Sequence, residues 1–495
     1  MMRHRLLLFA GVAVLAVGPA SAETLRDALV RAYSTNPTIT GQRASLRATD
    51  EAVPLARADG LPSAAVDARY SEDFQQAANQ FFAPARSVTG QASLSVPLYA
   101  GGAVKNSVRA AKTRVEAGRA NLRGTEAQLF TDVVAAYLNV IRDEAIVELN
   151  GQNVRALEVN LQATRDRFEV GDVTRTDVAQ SEARLAAAVG QLRGSEATLI
   201  ASREFYIRTV GAAPESLEQP PPLPGLPDNA DAAVAVALEN NPTLIAARRN
   251  SDAAGFDARA ARAQRLPQVS TFLGGNYFNN LSSQNAGNVS VNSGSGASAG
   301  VQMRIPIYQG GAPAANVRRA RALESVAIEQ VTATERAVIE QARAFFANWQ
   351  SSLRVIEAAE TQVSANRLSL EGVRAENSVG TRTILDILDA ERELLNAQVT
   401  LVTARRDAYV AGFALLAAMG RAEARDLGLD GGPLYDPDVN YRRVRGGLWD
   451  WSDGARAAPV ASSTANTPAQ TPVVTKPLDP ELQRGVDTGP ANPDR

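Results

Sequence analysis

The chain has 495 residues, with 51 lysines and arginines against 53 aspartates and glutamates, one histidine and no cysteine. That balance lacks the basic surplus of a nucleic-acid binder, so no nucleic-acid partner is expected. Without cysteine there are no disulfides, no thiolate nucleophile and no cysteine zinc site.

The first 22 residues read as a secretory leader. Arg3 and Arg5 form a basic start, Leu6 to Val17 an apolar core, and Ala20-Ser21-Ala22 an A-x-A cleavage signal. An uncleaved anchor is the alternative, but the apolar core is too short to span a bilayer comfortably. Cleavage before Glu23 removes two of the 51 basic residues and none of the 53 acids, leaving 49 against 53, a net charge of −4. It also removes His4, the only imidazole, and leaves no cysteine for an N-terminal lipid. The usual tools of acid–base and nucleophilic catalysis are then missing. No enzyme activity, catalytic residue, metal site or cofactor is expected. Lysine is nearly absent (Lys105, Lys112, Lys476), which reads as composition bias rather than chemistry. Beyond the leader no apolar run is long enough for a membrane helix. Any membrane crossing must therefore use a β-barrel.

The mature chain opens with a helical stretch over Leu25 to Asp59, and a second such stretch spans Asp231 to Gln264. The two belong to a duplication. Asn36-Pro37 returns as Asn241-Pro242 and Leu61-Pro62 as Leu266-Pro267, both 205 residues later. Val96-Pro97-Leu98-Tyr99-Ala100-Gly101-Gly102 returns as Ile305-Pro306-Ile307-Tyr308-Gln309-Gly310-Gly311, now 209 residues later. The 209 spacing then holds without a gap through Gly171 and Gly380, Asp177 and Asp386, and Gly211 and Gly420.

Strand-like runs follow each opening stretch. Over Gln91 to Leu98 apolar and small polar residues alternate, and over Ala299 to Ile305 they alternate again, with Ala299, Val301, Met303 and Ile305 sharing a face. Partner strands are expected from Ser63 and from Gln268, with Val66, Ala68 and Tyr70 on one face. Alternation alone fits a lipid-facing barrel strand and an ordinary half-buried sheet equally. The loop Asn279 to Ser298, built of Ser, Asn, Gly and Ala, has the composition of a solvated extracellular loop.

A proline-free helical pattern then runs from Val104 to Phe168. Val133, Val140, Val147, Val154, Leu161 and Phe168 recur every seventh residue, and Trp349, Ile356, Val363 and Leu370 do so in the second repeat. A sustained heptad is a coiled-coil seam. At 1.5 Å per residue such a helix is roughly 100 Å long, beyond what a compact domain buries. The pattern breaks at Val170-Gly171-Asp172-Val173-Thr174 and at Val379-Gly380-Thr381-Arg382-Thr383, and second helices run from Asp177 to Val210 and from Asp386 to Met419. Each repeat thus ends in a helical hairpin with its tip far from the strands. Four strands cannot close a barrel, so a membrane reading demands an oligomer.

The proline-rich stretch Pro214 to Pro227 links the repeats, and from about Ala457 the chain reads as disordered. The expected division is a leader over 1–22, repeats over 23–211 and 231–420 about a linker at 212–230, a C-terminal segment over 421–456 and a tail over 457–495.

The duplicated Asn-Pro, Leu-Pro and Pro-Leu/Ile-Tyr-x-Gly-Gly signals resemble those of the TolC family of outer-membrane ducts, over Leu25 to Gly420. The second tip, Val379-Gly380-Thr381-Arg382-Thr383-Ile384-Leu385-Asp386-Ile387-Leu388-Asp389-Ala390, is the most specific part. The resemblance implies a mixed α and β membrane protein: a homotrimer whose twelve-stranded outer-membrane barrel, four strands per chain, continues into a periplasmic helical tunnel. It implies lumen-facing carboxylate rings at Asp386 and Asp389. It also implies a gate in which Arg382 pairs with a neighbour's position Thr176 and an aromatic side chain pairs with Asp177. Here that aromatic position is Asn377, which is shorter, so the gate is looser or closed by other contacts. Val170, Gly171, Asp172, Val173 and Thr174 of the first tip, with Val379, Gly380 and Thr381 of the second, are where a periplasmic adaptor would dock. No G-x-x-x-x-G-K-[ST] loop is present, so energy must come from an inner-membrane pump, proton-driven or ATP-driven. The function implied is efflux, type I protein secretion, or both, with outer-membrane lipid around the barrel. A periplasmic adaptor or a structural coiled-coil protein is the competing reading. An adaptor would carry flanking domains about a single hairpin, and a coiled-coil protein has no need of alternating strands.

Overall fold

The computed structural model describes residues 23–75, 86–281, 292–429, 434–454 and 456–483; the leader and part of the Asn279–Ser298 loop lie outside them. The first repeat contains α1 (Leu25–Thr35), α2 (Pro37–Asp50), α3 (Ala52–Ala58), β1 (Ser63–Glu72), β2 (Arg86–Ala100), α4 (Ala103–Glu169) and α5 (Arg175–Val210). The second contains α6 (Ala230–Asn240), α7 (Pro242–Ala263), β3 (Gln268–Asn280), β4 (Ser293–Arg304), α8 (Ala312–Ser378) and α9 (Ile384–Ala418), and α10 (Asp438–Val444) follows.

The duplicated signals are capping chemistry. Asn36 ends α1 in extended backbone and starts α2, its side chain accepting from the Thr38 amide while Pro37 fills the first helical position. Asn241 does the same for α7, accepting from Thr243 and Leu244. The helical opening stretches are broken at these caps. The first breaks again at Glu51, because Pro54 offers no amide to the Asp50 carbonyl and its ring crowds it. Its counterpart α7 has no internal proline and runs unbroken for 22 residues.

The strands form one antiparallel sheet in the order β1-β2-β3-β4, with β1 and β4 as open edges. The register assigns every side chain to a face, because paired residues share one. Val66, Ala92, Gly275 and Ala297 lie in one row, and Leu94, Leu273 and Ala299 in another on the same side. Tyr70 and Tyr277 close this apolar face at one end and Tyr99 at the other, all about half exposed or more. The opposite face carries Asp67, Arg69, Gln91, Ser93, Ser95, Asn276, Gln302 and Arg304. There Phe278 and Phe272 lie across Gly294 and Gly300, where a Cβ would come within 2.7 and 3.0 Å of the rings. Pro97 cannot donate to the ladder, and the register slips between it and Tyr99.

The helices α4 and α8 have 67 residues each, which gives roughly 100 Å apiece. The heptad holds where it meets a neighbour: Val133, Val140, Val147, Val154 and Leu161 are buried, whereas Phe168, at the tip, is 44% exposed. In α8, Val363 and Leu370 are buried and Trp349 and Ile356 half-buried. Among the described residues no helix is long and apolar enough to cross a membrane. The largest core gathers α1, the linker, α4, α5 and α9 around Phe130, Tyr137, Tyr206 and Phe413. The Tyr137 hydroxyl sits 2.8 Å from the Glu23 and Glu218 carbonyls, tying the start of the described chain to the linker.

Part of the tail, residues 456–483, is among the described residues. Residues 470–483 form a strap along the helices. Arg203 donates to the Thr471 and Val473 carbonyls, Lys476 to the Leu217 carbonyl and Gln398 to the Leu482 carbonyl. Leu478 and Leu482 are buried with Val363, Leu370 and Leu401. Proline-rich composition signals the lack of regular structure, but an extended segment needs only a few apolar anchors and partners for its carbonyls to lie in a groove.

Candidate functional site: the hairpin tips

Both tips are built the same way. Val170 ends α4 and Gly171 follows at φ +81; the Gly171 amide bonds the Phe168 carbonyl and the Asp172 amide the Arg167 carbonyl. Val379 and Gly380 (φ +82) repeat this, with the Gly380 and Thr381 amides bonding the Asn377 and Glu376 carbonyls. This is a Schellman stop, and the left-handed backbone explains both glycines. Three residues later a capping box starts each return helix. Asp177 Oδ2 accepts from the Thr174 amide and hydroxyl, both at 2.8 Å, and Asp386 Oδ2 accepts from those of Thr383 at 2.9 and 2.8 Å.

Those bonds hold both carboxyls below the usual carboxylate range, through the backbone amide of Thr174 first for Asp177 and the hydroxyl of Thr383 first for Asp386. A depressed carboxyl contributes stability above its unfolded pKa and loses it as pH falls through the lower folded value. Acidifying to about pH 4 should therefore leave both caps in place. Only below that should the first turns of α5 and α9 lose protection together, read as hydrogen exchange in tip peptides. Loss of protection already at pH 5 would contradict the caps.

The predicted gate residues are partly brought together. Asn377 does not reach Asp177; its amide donates at 2.8 Å to the Arg382 carbonyl in its own turn, and the Asp177 oxygen is taken by Thr174. Arg382 pairs with Glu376 at 2.8 Å and lies 3.9 Å from Asp386. Thr176 is exposed at the start of α5. Asp389, three residues from Asp386, meets Arg184 of α5 at 2.8 Å and Arg392 at 3.6 Å. Of the residues expected to meet an adaptor, Val170 is 81% and Val379 74% exposed, while Val173 is half-buried.

Several polar residues of the tips escaped the sequence reading. Glu391 is buried, 3.0 Å from Arg374 of α8 and 3.4 Å from the Asn160 amide of α4. In the first repeat Arg165 pairs with Glu182 at 2.7 Å. Each member lies 209 residues before its counterpart, so the duplicated spacing that revealed the repeats also carried this signal. Arg184 has no such signal: its counterpart is Glu393, and that of Asp389 is Gln180.

This architecture matches known proteins. The family model for outer membrane efflux proteins matches residues 28–203 and 233–421, the two repeats. The chain belongs to the outer membrane efflux protein family. The outer membrane efflux protein BepC of Brucella suis is 32% identical over 428 residues, covering 86% of this chain and 91% of BepC. The outer membrane protein TolC of Vibrio cholerae is 28% identical over 325 residues, covering 65% of this chain and 74% of TolC. Among solved structures, the outer membrane protein VceC of Vibrio cholerae has a TM-score of 0.68 at 21% identity, covering 80% of this chain and 96% of VceC. For a member of this family, the sheet is the membrane part and the hairpins its periplasmic extension.

Proposed function

We propose that three copies of this chain form one outer-membrane exit duct, a passive channel opened at its hairpin tips by an adaptor and an inner-membrane pump. The observation that carries this reading is the sheet. One face is apolar across all four strands, bounded by tyrosines, while the other is mostly polar apart from Phe272 and Phe278, and both edges are open. A lipid-facing band between aromatic girdles, with water inside, has this pattern. From Gly90, beside Tyr277, to Tyr99 the strand covers roughly 30 Å, or about 23 Å along the membrane normal at a tilt near 40°. Open edges are not tolerated in lipid, so β4 of one copy must pair with β1 of the next. Three copies, the number the TolC-family resemblance implies, give twelve strands, and the helices continue as a tunnel.

The exposed Val170 and Val379 fit a docking end that a partner covers. Asp386 and Asp389, one turn apart on α9, would ring the passage near the tips and favour cations there. Arg382 would bond the next copy near Thr176 when the tips close. Cargo, whether small molecules or secreted proteins, would be set by the pump.

The test is conductance of the purified oligomer in a planar bilayer. The parent should form a narrow cation-selective channel, and Asp386→Ala combined with Asp389→Ala should reduce that selectivity several-fold. A parent that runs as a soluble monomer and forms no channel would sink the duct reading. A channel whose selectivity ignores both substitutions would remove the rings.

A further inference from the structure

We infer that Arg184 is a latch of the resting duct: its ion pair with Asp389 fastens the second hairpin to the first and masks the Asp389 charge until the hairpins part. This rests on the duct reading and deepens it, by assigning a closing and selectivity-setting role to a residue outside both tip motifs.

Three observations carry the inference. The first is placement. Arg184 projects from α5 of the first hairpin and Asp389 from α9 of the second, and their 2.8 Å contact joins the two hairpins about two turns from the tips. Leu185 and Ala188, just beyond on α5, pack with Leu385 and Leu388 of α9 and with Val154 and Leu157 of α4. The ion pair therefore sits beside an apolar contact that must slide or separate if the hairpins move apart.

The second is charge. Asp389 Oδ1 faces two guanidinium groups, Arg184 at 2.8 Å and Arg392 at 3.6 Å, and Arg392 also lies 3.5 Å from Glu393. Closed, the site is not a bare carboxylate, and a cation passing it meets a neutralised group. Among the described residues Asp386 has no such partner from the other hairpin; its ion pair is with Arg382 of its own turn, at 3.9 Å. Parting the hairpins removes Arg184 from Asp389 and leaves a stronger negative ring, so opening and cation preference rise together.

The third is asymmetry. The ion pairs Arg165–Glu182 and Arg374–Glu391 are duplicated and each joins the two helices of one hairpin, although Glu391 also accepts from Asn160 of the other. The Arg184–Asp389 pair is not: the equivalent positions, Glu393 and Gln180, cannot form an ion pair. The latch therefore marks one kind of boundary between hairpins, the one inside a protomer, and is not a by-product of how any two hairpins meet.

The experiment uses the full oligomer in a planar bilayer, with resting conductance and reversal potential across a KCl gradient as readouts. Arg184→Gln should raise resting conductance several-fold and shift the reversal potential toward greater cation selectivity. Arg184→Lys should stay near the parent. Combining Arg184→Asp with Asp389→Arg should restore low conductance. Asp389→Ala should also leak, but without the gain in cation selectivity, and this opposite sign separates unmasking from loosening. Migration as an intact oligomer checks folding of each variant. An Arg184→Gln channel identical to the parent would overturn the latch, as would a leak that brings no selectivity shift or that the charge swap fails to reverse. A parent that forms no channel would instead overturn the duct reading.

Discussion

Leu273→Arg should abolish accumulation of the oligomer in the outer membrane, while Ser93→Arg should leave it intact. Leu273 lies mid-strand in β3, on the face shared with Leu94 and Ala299; Ser93, opposite Gly274, is on the other face. An arginine at the lipid midplane costs about 2–4 kcal/mol, and a threefold barrel would carry it three times, roughly 6–12 kcal/mol in all. An arginine on the lumen side joins Arg69 and Arg304 in water. Fractionation and heat-modifiable gel migration of the two variants would read the difference directly. If Leu273→Arg were tolerated and Ser93→Arg not, the faces would be assigned the wrong way round.

The second large effect is expected at Gly420→Ala. Gly420 has φ +70, and a Cβ there would lie 2.3 Å from the Asn240 carbonyl oxygen and 2.6 Å from its carbon. Left-handed backbone costs a side chain about 1–2 kcal/mol. The clash falls on backbone held by the Asn241 side-chain bond to the Ala418 carbonyl, so it cannot be relieved by turning a rotamer. Together these should cost about 3 kcal/mol or more. The equivalent Gly211, at φ +91, would meet only the Thr35 hydroxyl at 3.3 Å, so Gly211→Ala should cost about 1 kcal/mol. Thermal unfolding of the two variants in detergent should differ by several degrees. Equal shifts would show that close approach at Gly420 adds nothing beyond the turn itself.

Much of the fold was legible because its signals are local. Asn-Pro caps, Val-Gly stops followed by Thr-x-x-Asp boxes, period-two strands and the heptad each satisfy backbone groups or bury a stripe within a few residues. What escaped depends on distant partners. Nothing near Leu482 foretells Gln398 or Leu370, and nothing near Arg184 foretells Asp389, over 200 residues away. At Asn377 the resemblance implies an aromatic side chain, and the shorter residue leaves a gate that is looser or closed by other contacts. The structure turns Asn377 back into its own loop, because a free carbonyl at Arg382 lies within reach and Asp177 already serves as a cap. A carboxylate at a helix start suits both a cap and a charge facing a passage. In the structure Asp177 and Asp386 do cap their helices, and a capping carboxylate still has a second oxygen for the passage.

The unpaired edges of β1 and β4 have a consequence in genetics. No subunit can enter the bilayer as a finished barrel alone, so every duct draws its members from one periplasmic pool before its seams close. Where a defective and an intact allele are expressed equally and mix freely, only roughly one duct in eight is wholly intact. Lesions at the tips, which spare assembly, should therefore behave as dominant. Lesions such as Leu273→Arg, which keep the subunit out of the pool, should behave as recessive.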